Sequence, residues 1–176
     1  MNIFILNTGR CGSTTFIKAC EHISNYTCAH ESLVTQTGNE RLAYPSQHIE
    51  ADNRLSWFLG RLDRQYGNDA FYVHLSRDKQ KTIDSFSKRE GYGIMKAYKE
   101  GILLDGEKNQ SAKQVAEDYI ETVETNISLF LKDKTNKLNF KLETAEKDFE
   151  RFWNMISAEG NFQAALKEWT VNYNAS

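Results

Sequence analysis

Three groups of residues in this sequence have types and spacings that suit chemistry. The first lies in the run FILNTGRCGSTTFIKAC, Phe4 to Cys20, where an apolar start passes through Gly9, Arg10, Cys11 and Gly12 into Ser13, Thr14 and Thr15 and then a helical pattern. A strand that ends in a glycine turn and opens a helix aims backbone N–H groups and the positive helix end at one point, which suits a phosphate. The glycines permit the tight backbone, Arg10 supplies charge, and the three hydroxyls add donors. The same run also reads as an ordinary capped helix after a turn. A loop that hydrolyses ATP or GTP needs Lys and then Ser or Thr after its second glycine, because the lysine reaches the terminal phosphates and the hydroxyl binds magnesium. Here Ser13 follows Gly12, and the cation precedes the glycine.

The second group is in FYVHLSRDKQKTIDSFSKR, where Arg77 follows a clear strand and Ser85 comes eight positions later. A strand-end arginine can fork onto a phosphate, and a serine about two helical turns on lies on the same face if the segment is helical. Taken alone, the pair also reads as a surface arginine and a helix serine. The third group is His30 and Glu31 in CAHESL, after a short strand, at the strand end where an α/β sheet keeps its ligand crevice. Glu31 reads equally as a solvated loop acid or a helix-cap partner.

With these residues in view, Arg10-Cys11-Gly12-Ser13-Thr14 resembles the 5′-phosphosulfate-binding loop of sulfotransferases that use 3′-phosphoadenosine 5′-phosphosulfate (PAPS). Arg77 and Ser85 resemble the pair with which that family holds the 3′-phosphate that distinguishes PAPS from ATP. LNFKLETAEKDFERFWNMI is similar to the family's late strand ending in an acid, with Glu143 in that position and a structural role implied for it. Two departures stand beside these matches. Asp78 and Lys79 occupy the positions next to Arg77 where the family usually has a proline, and its late Arg-Lys-Gly loop has no counterpart.

The resemblance implies a P-loop NTPase-like three-layer α/β fold with a central, mostly parallel sheet flanked by helices. It implies transfer of a sulfuryl group from PAPS to a hydroxyl or amine of a small-molecule, lipid or carbohydrate acceptor, leaving 3′,5′-adenosine diphosphate and requiring no metal. Gly9, Arg10, Cys11, Gly12, Ser13, Thr14 and Thr15, with Arg77 and Ser85, are the implied donor-binding residues. Such a transfer needs a base facing a cation. Arg10 is the cation, and Glu31 is favoured as the base because several members acting on carbohydrates carry a glutamate just after their second strand. His30 either orients the acceptor or is itself the base, and His48 ranks third. His74 lies mid-strand and reads as a core or sheet-surface residue. Two other functions fit the same residues: an ATP-dependent small-molecule kinase with Asp78 as magnesium ligand, and a non-catalytic nucleotide-binding scaffold.

The elements that must position these groups alternate between strand and helix. Ile3 to Leu6 reads as a buried strand, and Phe16, Ile17, Cys20 and Ile23 recur at helical spacing. Tyr26 to Ala29 is a second short strand. Arg54 to Tyr66 is a helix with Leu55, Phe58, Leu59 and Leu62 on one face, and AFYVHL, Ala70 to Leu75, is the next strand. Ser111 and Gln114 form a capping box for a long amphipathic helix reaching about Lys132. KLNFKL alternates like a strand, a helix carrying Phe149, Phe152, Trp153 and Ile156 follows, and a last helix spans about Phe162 to Tyr173. Alternation of this kind predicts an α/β fold. Asn53, Arg54 and Trp57 line an acceptor pocket or simply start a helix. Arg89 to Gln110, with four glycines, is a mobile flap or an irregular loop.

Composition limits the partners. The 176 residues suit one domain, 1–176, with 22 Lys and Arg against 24 Asp and Glu for a net charge of −2. That balance gives no broad field for nucleic acid or a membrane surface, so an anion must be held locally. The three cysteines, Cys11, Cys20 and Cys28, lack metal-ligand spacing and read as free thiols of a reducing compartment. The first residues have neither a basic n-region nor enough apolar length for a signal or a transmembrane anchor, so a cytoplasmic location is expected. Sequons at Asn25, Asn109, Asn126 and Asn174 are then chance.

Overall fold

Ile3–Leu6 forms strand β1, and all four of its side chains are completely buried. A strand with both faces covered needs a continuous apolar run, and this one has it. Ile3 and Ile5 join one core, while Phe4 and Leu6 join the other on the opposite face. The computed structural model describes residues 1–171 and 173. β1 is the middle strand of a five-stranded, all-parallel sheet with the order β2-β3-β1-β4-β5. The other strands are β2 (Thr27–His30), β3 (His48–Ala51), β4 (Phe71–Ser76) and β5 (Lys137–Lys141). This order makes β1 the switch point, because β3 returns to one side of it and β4 leaves on the other. The crevice beyond its C-terminal end is the expected ligand position in such a sheet.

Helices cover both faces. On one, α1 (Ser13–Cys20), α6 (Ala145–Met155) and α7 (Phe162–Lys167) pack through Phe16, Phe149 and Phe152, with Phe16 edge-on to Phe140 and Phe152 at 5.0 Å. On the other, α2 (Leu59–Tyr66), α3 (Lys79–Ser87), α4 (Gly93–Ala97) and α5 (Ala112–Leu131) pack through Leu62, Phe86, Met95 and Tyr119. The Ser111–Gln114 capping box is present, with Gln114 N donating to Ser111 Oγ and Ser111 N to Gln114 Oε1. No helix among the described residues is long and apolar enough to cross a membrane.

The structure corrects four expectations. The sheet contains β3, a strand that the sequence pattern did not predict; AFYVHL is therefore the fourth strand. β3 is buried at every position although it carries His48 and Glu50, whose polarity hid it. The helix expected over Arg54 to Tyr66 is broken. A 3-10 turn at Asn53–Trp57 is held by Asp52, which accepts from Arg54 N, and by Ser56, which donates to Asn7 O; α2 begins only after Phe58. Arg89 to Gln110 is not wholly irregular. Its middle folds as α4 and a π-helical turn, Tyr98–Ile102, with Met95 and Tyr98 buried and Tyr98 Oη bonded to Asp118. The last helix stops at Lys167 and tightens into a 3-10 turn over Glu168–Thr170. Of the sequons, Asn25 is built into the structure through Ser157 O and Glu159 N, and Asn174 lies outside the described residues.

Candidate active site

The loop from β1 to α1 owes its shape to two glycines. Gly9 and Gly12 both have φ +90°, and a Cβ on Gly12 would stand 2.8 Å from Leu142 Cδ1. A Cβ on Gly9 would meet Asn53 Nδ2 at 3.1 Å and Phe86 Cζ at 3.3 Å. Arg10 between them is also left-handed, at φ 60°. From below, Asn7 Oδ1 accepts from Gly9 N at 2.8 Å, and Thr8 O accepts from Tyr119 Oη at 2.7 Å. Gly12 is the N-cap of α1 and has no side chain to accept from the amides of the first turn, so the loop opens onto a helix N-terminus of the kind that suits an anion.

Within this loop the side chains divide. Ser13 and Thr14 line a cleft of about 260 Å³ at the C-terminal end of the sheet. Cys11 instead turns inward, with its Sγ 3.1 Å from Thr8 Oγ1 and from Gly9 O, and burial pushes its thiol up to about 11. Thr15 is buried as well. Cys11 and Thr15 thus serve the loop through backbone and packing.

The second motif meets the first. Arg10 Nε donates to Ser85 Oγ at 2.9 Å across 75 positions of sequence, and Arg77 Nη1 donates to Arg10 O at 3.3 Å. The Arg10 guanidinium is lowered from its ordinary pKa by burial, and then by the like charges of Arg89 and Arg77. Converging like charges raise the energy of a site until an anion enters it. Arg89 lines the cleft and was missed in the sequence; its spacing of four from Ser85, one helical turn, was the available signal. Neither Arg77 nor Ser85 lines the cleft itself; both border the loop from the α3 side.

Across the cleft, Glu31 ends β2 in a left-handed conformation, φ 54°, with its N–H donating to Ala51 O. Its Oε2 is 3.0 Å from Arg54 Nη1, and His30 Nε2 is 3.0 Å from Ser13 Oγ. Arg10, Glu31, His30, Asn53 and Arg54 all line the same cleft. Trp57 does not; it lines the groove next to it. His48 is buried, stacked on Tyr44 and bonded to Thr27 and Glu50, so it is removed from the candidate bases. His74 Nε2 is 2.9 Å from Glu124 on the α5 side of the sheet.

β3 and the position after it contribute two further residues that sequence reasoning missed. Glu50 is fully buried and accepts from Ser32 N at 2.8 Å, Ser32 Oγ at 2.6 Å and His48 Nε2 at 3.0 Å, which fixes the turn carrying Glu31. Asp52, also fully buried, accepts from Arg54 N at 2.8 Å and pairs with Arg41. Burial raises the Asp52 carboxyl above the ordinary range, against the opposing pull of Arg54 N–H and Arg41.

No protein-family model and no curated protein matches the sequence. Solved structures do match the fold. The sulfotransferase domain from the curacin biosynthetic pathway superposes with a TM-score of 0.67 at 14% identity, over 97% of this chain and 78% of that one. The chain has the sulfotransferase fold. Mouse sulfotransferase SULT7A1, solved in complex with PAP, superposes with a TM-score of 0.57 at 14% identity, over 96% of this chain and 63% of that one. Glu143 Oε1 accepts from Asp78 N at 2.9 Å, which ties the turn after β5 to the start of α3. Asp78, the magnesium ligand of the kinase reading, has its carboxylate engaged as the N-cap of α3, accepting from Lys81 N.

Proposed function

We propose that residues 1–176 form one sulfotransferase domain that moves a sulfuryl group from PAPS to a hydroxyl or amine of a small-molecule, lipid or carbohydrate acceptor. The observation that carries this reading is the junction of the two motifs: Arg10 on the β1–α1 loop bonded to Ser85, with Arg77 and Arg89 beside it. The loop fits a phosphosulfate, since its two left-handed glycines let it fold tightly against Leu142, Asn53 and Phe86, and Ser13 and Thr14 line the cleft. Arg77 and Ser85 would hold the 3′-phosphate, and the loop the 5′ end.

In the reaction the acceptor oxygen bonds to sulfur while the bond from sulfur to the 5′-phosphate oxygen breaks, its electron pair remaining on that oxygen. Arg10 stabilises the growing charge on the leaving phosphate. The acceptor's proton passes to Glu31, which must first part from Arg54; His30, tied to Ser13, orients the acceptor. The free thiols Cys11, Cys20 and Cys28 are in keeping with a cytoplasmic setting.

The test is transfer of labelled sulfuryl from PAPS to a panel of alcohols, phenols, sugars and amines, with Glu31→Gln beside the parent. Loss of a general base is expected to lower kcat about 10²- to 10⁴-fold with donor affinity kept. Unchanged transfer would remove Glu31 from the mechanism, and no transfer by the parent to any acceptor would favour the scaffold.

A further inference from the structure

Beside the polar cleft runs a second groove of about 260 Å³, walled almost wholly by carbon: Trp57 and Phe58 on one side, Ala97, Tyr98 and Ile102 on the other. The two cavities adjoin, with Arg54 and Ile94 lining both. Arg54 makes the junction chemically asymmetric. Its guanidinium lies against Glu31 in the polar cleft, and the same side chain lines the groove.

Two further observations bear on this place. Eight large apolar side chains are exposed among the described residues, and Trp57, Tyr92 and Ile102, at 38%, 75% and 57%, line these two cavities. Apolar exposure gathered at the mouth of a site marks a binding surface, whereas singly scattered residues do not. The wall carrying Tyr98 and Ile102 is the π-helical turn, a rare conformation that recurs at functional positions. Here it holds Tyr98 inward, bonded to Asp118, and leaves Ile102 outward.

We infer that this groove receives the apolar body of the acceptor, so that the group sulfated is a hydroxyl carried on an alkyl chain or ring rather than on a wholly polar sugar. The inference rests on the sulfotransferase reading and narrows it. With the hydroxyl at Glu31, the attached carbon skeleton passes Arg54 and lies between Trp57 and Ile102.

The experiment is calorimetric binding of primary n-alkanols from ethanol to octanol, within their solubility, with 3′,5′-adenosine diphosphate saturating; phenol and cyclohexanol distinguish ring from chain. Each added methylene is expected to tighten Kd about three- to fourfold until the groove is filled. Ile102→Asp, at an exposed position outside the core, is expected to flatten that dependence while leaving the bisphosphate's own Kd unchanged; Trp57→Ala should act likewise. A Kd independent of chain length, with the bisphosphate bound normally, would overturn the inference and leave the sulfotransferase reading standing. Failure of the bisphosphate itself to bind would overturn that reading, and this inference with it.

Discussion

At the scale of single residues the site is a meeting of arginines with Glu31, behind which the buried acids Glu50 and Asp52 hold the neighbouring turns. Asp52 and Arg41 are a fully buried pair, so Asp52→Asn should leave the Arg41 charge uncompensated. Breaking such a pair costs about 3–5 kcal/mol, which urea unfolding of the variant would read as a lowered midpoint with an unchanged slope. The thiols give a second expectation. Burial holds Cys11 and Cys28 at about 11, so both are neutral in the folded protein at pH 8, and a thiolate-selective reagent should modify them slowly until the chain is unfolded. The sign for stability follows. Below the ordinary thiol pKa both states are protonated; as pH rises from about 9 to about 11 the unfolded state ionises first, so stability falls across that window. Arg10, Arg77 and Glu31 were legible because each sits beside a glycine turn or a strand end in sequence, and Ser85 because it stands eight positions after Arg77. Glu50, Asp52 and Arg41 were not, because their importance comes from burial, and nothing local to HIEAD marks those acids as interior.

Among the elements, the β1–α1 turn was the most legible, since a strand, two glycines and a helix specify one another locally. Gly12→Ala tests that turn: it places a side chain at φ +90° and 2.8 Å from Leu142 Cδ1. The left-handed backbone alone costs about 1–2 kcal/mol, so the melting temperature should fall by roughly 2–8 °C and donor binding should weaken with it. An unshifted melting temperature would mean that the turn has another conformation. The capping box at Ser111 and the alternation in KLNFKL were read from short-range pattern and are present as such. The break at Phe58 was not readable, because the apolar spacing of Leu55, Phe58, Leu59 and Leu62 continues through it. What breaks the helix is tertiary: Ser56 reaches back to Asn7 and Asp52 caps the preceding turn.

For the whole molecule, the α/β class followed from alternation of elements, but the strand order did not. Which side of β1 receives β3 and which receives β4 depends on crossovers that no single segment encodes, and the unrecognised β3 removed one neighbour from consideration. That order brings the loop, the end of β2 and α3 to one edge, joining Arg10 to Ser85 across 75 positions. The central claim is therefore about a bisphosphate held at this junction. The most direct measurement is calorimetric Kd for 3′,5′-adenosine diphosphate and 5′-AMP, with ATP plus magnesium alongside, on the parent and on Arg77→Ala. Hydrogen bonds to a charged group contribute about 1.5–3 kcal/mol, so the parent should bind the bisphosphate about ten- to a hundredfold tighter than AMP, and Arg77→Ala should erase that margin. Equal affinities for the two nucleotides in the parent, or binding of ATP–magnesium alone, would contradict a 3′-phosphate site and with it the sulfotransferase function.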